Sequence, residues 1–339
     1  MNNNYVLPEA AQSATSVDIS FFSEKINQTL STISYGDNPV ELYEPIRYIM
    51  QLGGKRLRPL VTLLAGYLFQ DDIQQCLKPA CGVEVFHNFT LLHDDIMDKA
   101  PLRRGQPTVH EKWNHNIAIL SGDVMMVRAY ELFLDVEPTK LQKVLRLFSN
   151  CAAAVCEGQQ LDMNFETQDA ITIDNYLHMI TLKTAVLLGF SLELGAVLNG
   201  ASDNDALLLK NFGINVGIAF QLRDDLLDVY GDQDKFGKQV GGDILADKKT
   251  FLLITALAQA NEVQKAVLTR YKNQTVFSSE QKVQEFTTIY NELAIRAQTE
   301  NKINTYFEEA IQSLDAVNAP EVRKALLRNL AMQLMERES

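Results

Sequence analysis

The segment VFHNFTLLHDDIMD, residues 85–98, runs an apolar stretch into three carboxylates. Its apolar residues recur every three or four positions, the spacing of a helix face. On that helix Asp94 and Asp98 (i, i+4) share a side, and Asp95 is their neighbour. Like charges at this spacing repel, and burying them unpaired costs several kcal/mol. A chain that folds this segment as a helix must therefore supply positive charge at its end.

The same helical period extends along most of the sequence. Helices are expected over roughly 17–31, 38–52, 58–70, 74–98, 108–134, 139–165, 173–198, 203–230, 249–260, 279–314 and 320–336. Long runs of alternating β-branched residues are absent, so the expected fold is all-α. PTKLQ sets Pro138 and Thr139 at a helix start, and NGASDND breaks one helix at Asn199-Gly200 and recaps the next at Ser202 or Asp203. Residues 1–16 are polar and small, a frayed leader, and 17–339 are read as a single domain, since no Pro- or Gly/Ser-rich linker divides the 339 residues.

A net charge of −12 argues against a general nucleic-acid binder, which needs a basic face. Anionic small molecules stay open if metal ions or local basic patches serve them. Cys76, Cys81, Cys151 and Cys156 form no CxxC pair and read as reduced thiols. The first residues lack the pattern of a signal peptide, and TAVLLGFSLELGAVL is interrupted by Glu193 and short for a bilayer. These features lead to an expectation of a cytoplasmic protein without stable membrane insertion.

A second DDxxD stands at Asp224, Asp225 and Asp228, 130 positions after the first and again late in an apolar helix (INVGIAFQLRDDLLDVY). One such trio reads equally as a solvated face; two make that reading weak. Oxygen-only ligands suit Mg²⁺, which keeps waters and completes its shell with substrate phosphates. GGKRLRP, residues 53–59, offers Lys55, Arg56 and Arg58 after two glycines at a helix start, and RRG at 103–105 follows the first trio. Alone, each patch reads as solvent decoration; beside metal-type carboxylates they suit diphosphate. GDQDKFGKQVGGD, residues 231–243, is either a lid or a connector.

GGKRLRP, HDDIMD followed by LRRGQPT, GQQLD, LKT, FQLRDDLLD and FGKQVGGDILADKKT occur in the order of the trans-polyprenyl diphosphate synthase family, which the sequence resembles over about residues 43–255. The resemblance implies an isoprenoid-synthase-type helical bundle around a central cavity, usually a homodimer, binding isopentenyl diphosphate and an allylic prenyl diphosphate with Mg²⁺ as cofactor. It implies that Lys55, Arg58, His87 and Arg104 hold isopentenyl diphosphate. Arg103, Lys183, Lys238 and Lys248 then contact the allylic diphosphate. Asp94, Asp98 and Asp224 become the main metal ligands, with Asp95, Asp225 and Asp228 in the same trios, and Thr184 and Gln221 line the region where cationic charge develops. On residue type alone His87 reads as a core histidine and Lys183 as a snorkelling lysine. The released diphosphate takes the base role, and the 231–247 loop is cast as a lid.

Phe89 lies five positions before Asp94, about 7.5 Å back along a helix axis, and Phe86 eight positions before it, about 12 Å back. In the resembling family an aromatic at the first position floors the pocket, which points to a farnesyl or geranylgeranyl product; ordinary core packing is the other reading of both rings. The first motif lacks a two-residue insertion carried by many bacterial farnesyl synthases, which leans toward geranylgeranyl. A longer-chain synthase, a terpene cyclase, a head-to-head condensing synthase and a non-catalytic regulatory subunit are the alternatives.

Overall fold

Apolar residues at helical spacing draw the chain into packed helices, as expected. The computed structural model describes residues 18–231, 241–271 and 278–336. The helices are α1 (Ile19–Thr32), α2 (Val40–Gln51), α3 (Leu57–Tyr67), α4 (Gln74–Met97), α5 (Val109–Lys112), α6 (His115–Phe133), α7 (Pro138–Thr167), α8 (Ile173–Ile180), α9 (Val186–Leu198) and α10 (Asp203–Tyr230). After them come α11 (Gly242–Leu245), α12 (Phe251–Gln259), α13 (Glu262–Arg270), α14 (Ser279–Glu292), α15 (Ile295–Asp315) and α16 (Glu321–Met335). The leader expected at residues 1–16 lies outside the described residues.

Four departures from the expected elements have local causes. The helix expected over 108–134 breaks at Trp113, because Asn114 caps a new start by accepting the Ile117 amide at 2.9 Å. The helix expected over 279–314 breaks at Ala294, which adopts φ 52°, a left-handed conformation uncommon outside glycine. α13 was not anticipated, although Asn261 and Gln264 form a reciprocal capping box at its start. A two-stranded ribbon, β1 (Leu102–Arg103) and β2 (Gln106–Pro107), follows α4. Its two-residue turn, Arg104-Gly105, has φ 53° and 74°, the positive pair that matches the twist of a tight hairpin.

Residues 79–86 of α4 are all buried, so this stretch is packed on every side, with its one charge, Glu84, paired to Arg56. Around it a first core joins α3, α6, α7 and α9, with Phe86, Phe133, Phe148 and Phe190 at its centre. A second core gathers Tyr176, Leu252, Phe286 and Tyr290. α10 serves both: Leu209, Phe212 and Val216 enter the first, Leu222, Leu226 and Val229 the second. Each such large side chain contributes about 1.5–3 kcal/mol by leaving water.

Between α8 and α9 the ladder widens to a π-turn, Thr181–Ala185, so that Ile173–Leu198 is one continuous helical rod. At 26 residues this rod is longer than the apolar segment read from the sequence, and by length and composition it could cross a membrane. Yet 67% of its most apolar window is buried inside the protein, so its apolarity serves the core. The π-turn is wedged between two glycines: a Cβ on Gly158 would stand 2.2 Å from the Lys183 amide nitrogen, and one on Gly217 2.7 Å from Ala185 Cα. Only residues without side chains let α7 and α10 approach it this closely.

Candidate active site

Both aspartate trios sit at helix C-termini: Asp94 and Asp95 in the last turn of α4 with Asp98 as its C-cap, and Asp224–Asp228 in the last two turns of α10. There the negative end of the helix dipole opposes them, adding to their mutual repulsion. The structure divides each trio in the same way. The middle aspartate is buried, Asp95 at 2% and Asp225 at 4% exposure, and committed to neighbours. Arg103 grips Asp95 with Nε at 2.9 and 2.8 Å from its two oxygens and a terminal nitrogen at 2.6 Å. Asp225 accepts from the Tyr176 hydroxyl and from Gln221 Nε2 at 3.1 Å. Burial pushes the Asp225 carboxyl up to about 7, with Tyr176 and Gln221 pulling the other way.

Asp98, Asp224, Asp225 and Asp228 line a cavity of about 930 Å³, together with Lys183 and Lys248. Burial holds Asp98 above the usual carboxylate range, and Asp94 adds to the effect. The π-turn aims Lys183 between two helices, its ammonium 2.6 Å from Asp162 of α7 and 3.2 Å from Asp94 of α4. Burial alone would lower its pKa; the carboxylates of Asp94 and Asp162 raise it, so the cation persists. Lys248 stands 3.5 Å from Asp243, whose amide donates to Asp228 Oδ2 at 2.9 Å. Thr184 and Gln221 are joined by a 3.4 Å hydrogen bond and also line the cavity. Lys238 lies outside the described residues, as do positions 232–240 of the expected lid.

Three of the residues assigned to isopentenyl diphosphate, Arg58, His87 and Arg104, form a second, basic region beyond the lining of this cavity, with Lys55 next in the chain to Gly54 beside them. Arg58 of α3 lies 3.1 Å from His87 Nε2 of α4. Burial and the neighbouring Arg58 hold His87 well below its ordinary pKa, so a neutral ring accepts from the guanidinium. Arg104, turned to the other side of the hairpin from Arg103, donates to the Gly53 carbonyl, two residues before Lys55. Arg56 does not join them: at φ 48° it pairs with buried Glu84 at 2.5 Å and donates to the Met50 carbonyl at 2.5 Å. Gly54 is open to Arg104, a Cβ there meeting its guanidinium at 2.6 Å. Deeper along α4, Phe89 packs 4.7 Å from the His93 ring and 5.6 Å from fully buried Phe86, which is backed by Phe148 at 5.1 Å.

Among the described residues no three His, Cys, Asp or Glu side chains converge closely enough to hold a metal ion by themselves. The donors present still suit a hard divalent cation that finishes its shell with ligand phosphates. Asp94 Oδ1 is buried and accepts no hydrogen bond, although Lys183 stands near it. Asp162, Tyr176 and Asp243 were not singled out from the sequence, yet all three line the site. Asp162 and Asp243 lie inside the quoted GQQLD and GGD stretches; Tyr176 carried no signal beyond an amphipathic helix.

The sequence profile described as "Polyprenyl synthetase" matches residues 39–292. The chain is 38% identical over 311 residues to the geranylgeranyl diphosphate synthase of Methanosarcina mazei, covering 88% of this chain and 91% of that one. It is 33% identical over 334 residues to the geranylfarnesyl diphosphate synthase of Natronomonas pharaonis, covering 93% and 95%. The crystal structure of geranylgeranyl pyrophosphate synthetase from Pyrococcus horikoshii superposes with a TM-score of 0.87 at 32% identity, covering 94% and 97%. With the helical bundle, the paired carboxylate clusters and the basic region in place, these similarities establish that the chain is a trans-prenyltransferase and belongs to the polyprenyl synthetase family.

Proposed function

We propose that the protein condenses isopentenyl diphosphate with an allylic diphosphate to give an all-trans short-chain prenyl diphosphate, geranylgeranyl diphosphate in the first place, and releases diphosphate. The observation that carries this reading is the meeting of Asp98 from the first trio, all three aspartates of the second, and two lysines, Lys183 and Lys248, on one cavity, with Asp94 3.2 Å from Lys183. Asp94, Asp98, Asp224 and Asp228 would hold Mg²⁺, which when bound neutralises charge on the allylic diphosphate. Asp95 and Asp225 instead hold Arg103 and the α8–α10 junction in place.

The reaction needs the allylic C–O bond to break with its electron pair leaving on diphosphate. Lys183 and Lys248, kept cationic by their carboxylate neighbours, are preorganised to meet that growing negative charge. Thr184 and Gln221 present oxygens beside the carbon that becomes positive. Arg58, His87, Arg104 and Lys55 orient isopentenyl diphosphate, whose terminal alkene supplies the pair for the new C–C bond. Loss of a proton to the departing diphosphate restores an alkene.

Phe89 and Phe86 form the floor against which the growing chain stops. The similarity to enzymes named for geranylgeranyl and geranylfarnesyl products supports a short to medium chain. The working form is a cytoplasmic homodimer built on α6, where Leu120 and Val127 and, just past its end, Leu134 are more than half exposed at heptad spacing. Light scattering at twice 38.1 kDa supports the dimer, and a monomer overturns it.

The deciding assay incubates the purified chain with Mg²⁺, isopentenyl diphosphate and dimethylallyl, geranyl or farnesyl diphosphate, and reads the products by mass. Consumption of the allylic substrate without isopentenyl diphosphate would show a cyclase instead. No turnover by the chain alone would show a regulatory subunit.

A further inference from the structure

α14 carries an ammonium where an apolar side chain would be cheaper. Lys282 is 0% exposed. Burying such a charge is unfavourable unless its partners are excellent. Its Nζ donates to Asp247 Oδ1 at 2.6 Å and to the Leu245 carbonyl at 3.4 Å, with the Tyr271 and Phe286 rings 5.8 and 5.9 Å away. Asp247 is half exposed, so water screens its pull. A methionine would fill the same space without the desolvation. Packing alone does not account for this lysine.

What Lys282 grips is a turn. Leu245 ends α11, and a cation at that end meets a carbonyl left without a helical donor. Asp247 adopts φ 54°, the left-handed region that non-glycine residues enter uncommonly and aspartate more readily than most. That residue reverses the chain, so the Lys248 amide returns to the Asp243 carbonyl at 3.0 Å and the Thr250 amide reaches the Lys248 carbonyl at 3.0 Å. The next residue of α14 touches the same segment at its other end: Gly241 has φ 81°, and a Cβ there would stand 2.6 Å from Val283. Between these two anchors lies Asp243, bonded to Asp228, and directly after the second comes Lys248, both facing the cavity. Lys282 itself does not line it.

We propose that Lys282 is a positioning residue: by holding the left-handed turn at Asp247 it fixes where Lys248 and the Asp243–Asp228 pair meet the allylic diphosphate. The inference rests on the prenyltransferase reading of the cavity. Steady-state kinetics and thermal melting of the full chain, with each diphosphate varied in turn, test it in Lys282→Met, Asp247→Asn and the double variant. The expected result is an allylic KM raised about tenfold in Lys282→Met, with the KM for isopentenyl diphosphate within twofold. Asp247→Asn shifts the same constant, and the double variant is no worse than Lys282→Met alone. A lowered Tm with both KM values unchanged, or an equal rise in both, overturns the proposal. If Lys282→Met does not fold, Asp247→Asn carries the test, and an unchanged allylic KM in that variant overturns it. Turnover by the parent chain and calorimetric binding of geranyl diphosphate with Mg²⁺ separate the two readings: a parent chain that neither turns over nor binds sinks the prenyltransferase reading, while equal affinity in parent and variant sinks the role of Lys282.

Discussion

Replacing Phe89 with alanine should lengthen the product by one five-carbon unit. Phe89 is the aromatic nearer the aspartates, and the next barrier, Phe86, stands three residues further down α4. At 1.5 Å of rise per residue the floor recedes about 4.5 Å, comparable with the length of one isoprene unit. It does not recede further, because Phe86 is fully buried and braced by Phe148 at 5.1 Å. Phe→Ala in a closed core costs about 3–5 kcal/mol, but Phe89 is only partly buried, so a folded variant is expected with a smaller loss. The assay is mass analysis of products from farnesyl and isopentenyl diphosphates, run on Phe89→Ala, Phe86→Ala and the double variant. Phe86→Ala alone should change nothing while Phe89 still blocks the way. An unchanged product from Phe89→Ala, or the same lengthening from Phe86→Ala alone, would refute the floor.

Three further outcomes are expected. Tyr176→Phe removes a hydrogen bond to a buried carboxylate, a loss of about 1.5–3 kcal/mol, and should lower the urea midpoint and kcat together; an unchanged midpoint contradicts the bond's role. His87 is held neutral by burial and by Arg58, so below about pH 6.5 the unfolded chain binds a proton that the folded chain refuses. Its contribution to stability therefore falls with pH below that point, by at most about 1.4 kcal/mol per unit. Urea titrations at pH 7, 6 and 5 should show a shallower slope for His87→Gln, and parallel curves would exclude the effect. EDTA should abolish turnover and leave circular dichroism and Tm nearly unchanged, since among the described residues no ready-made cluster ties the fold to a metal; a large fall in Tm would contradict this.

The two aspartate helices were legible because several signals agreed. α10 runs from Asp203 to Tyr230, as its apolar period and the Ser202 cap required. The end of α4 was equally plain. Period says nothing, however, about a single extra residue in a helix, so the π-turn at 181–185 went unread. The Ala294 break was hidden because no glycine marks it, and the Arg104-Gly105 hairpin because two-residue strands leave no alternation. Within the site, residue type told which groups could meet a metal and a diphosphate. It could not tell which carboxylate of a trio turns inward, since Asp95 and Asp225 owe their roles to Arg103 and Tyr176, residues on other elements. Lys282 was unreadable for the same reason: its partner is 35 positions away.

The π-turn makes the rod that carries Lys183 sensitive to length in a way that substitution would never reveal. Each residue of a helix turns the chain by about 100°. Deleting one residue within 181–185 would let the ladder close to ordinary α-helix with Tyr176 and Leu187 still nearly in phase, but the bulge that seats the Lys183 backbone against Gly158 and aims its ammonium would be gone. Gly158 and Gly217 would then face an ordinary turn, with no bulge for their missing side chains to admit. A one-residue deletion here should therefore spare the fold and cost the function, a separation of the two that any library built on this enzyme can use.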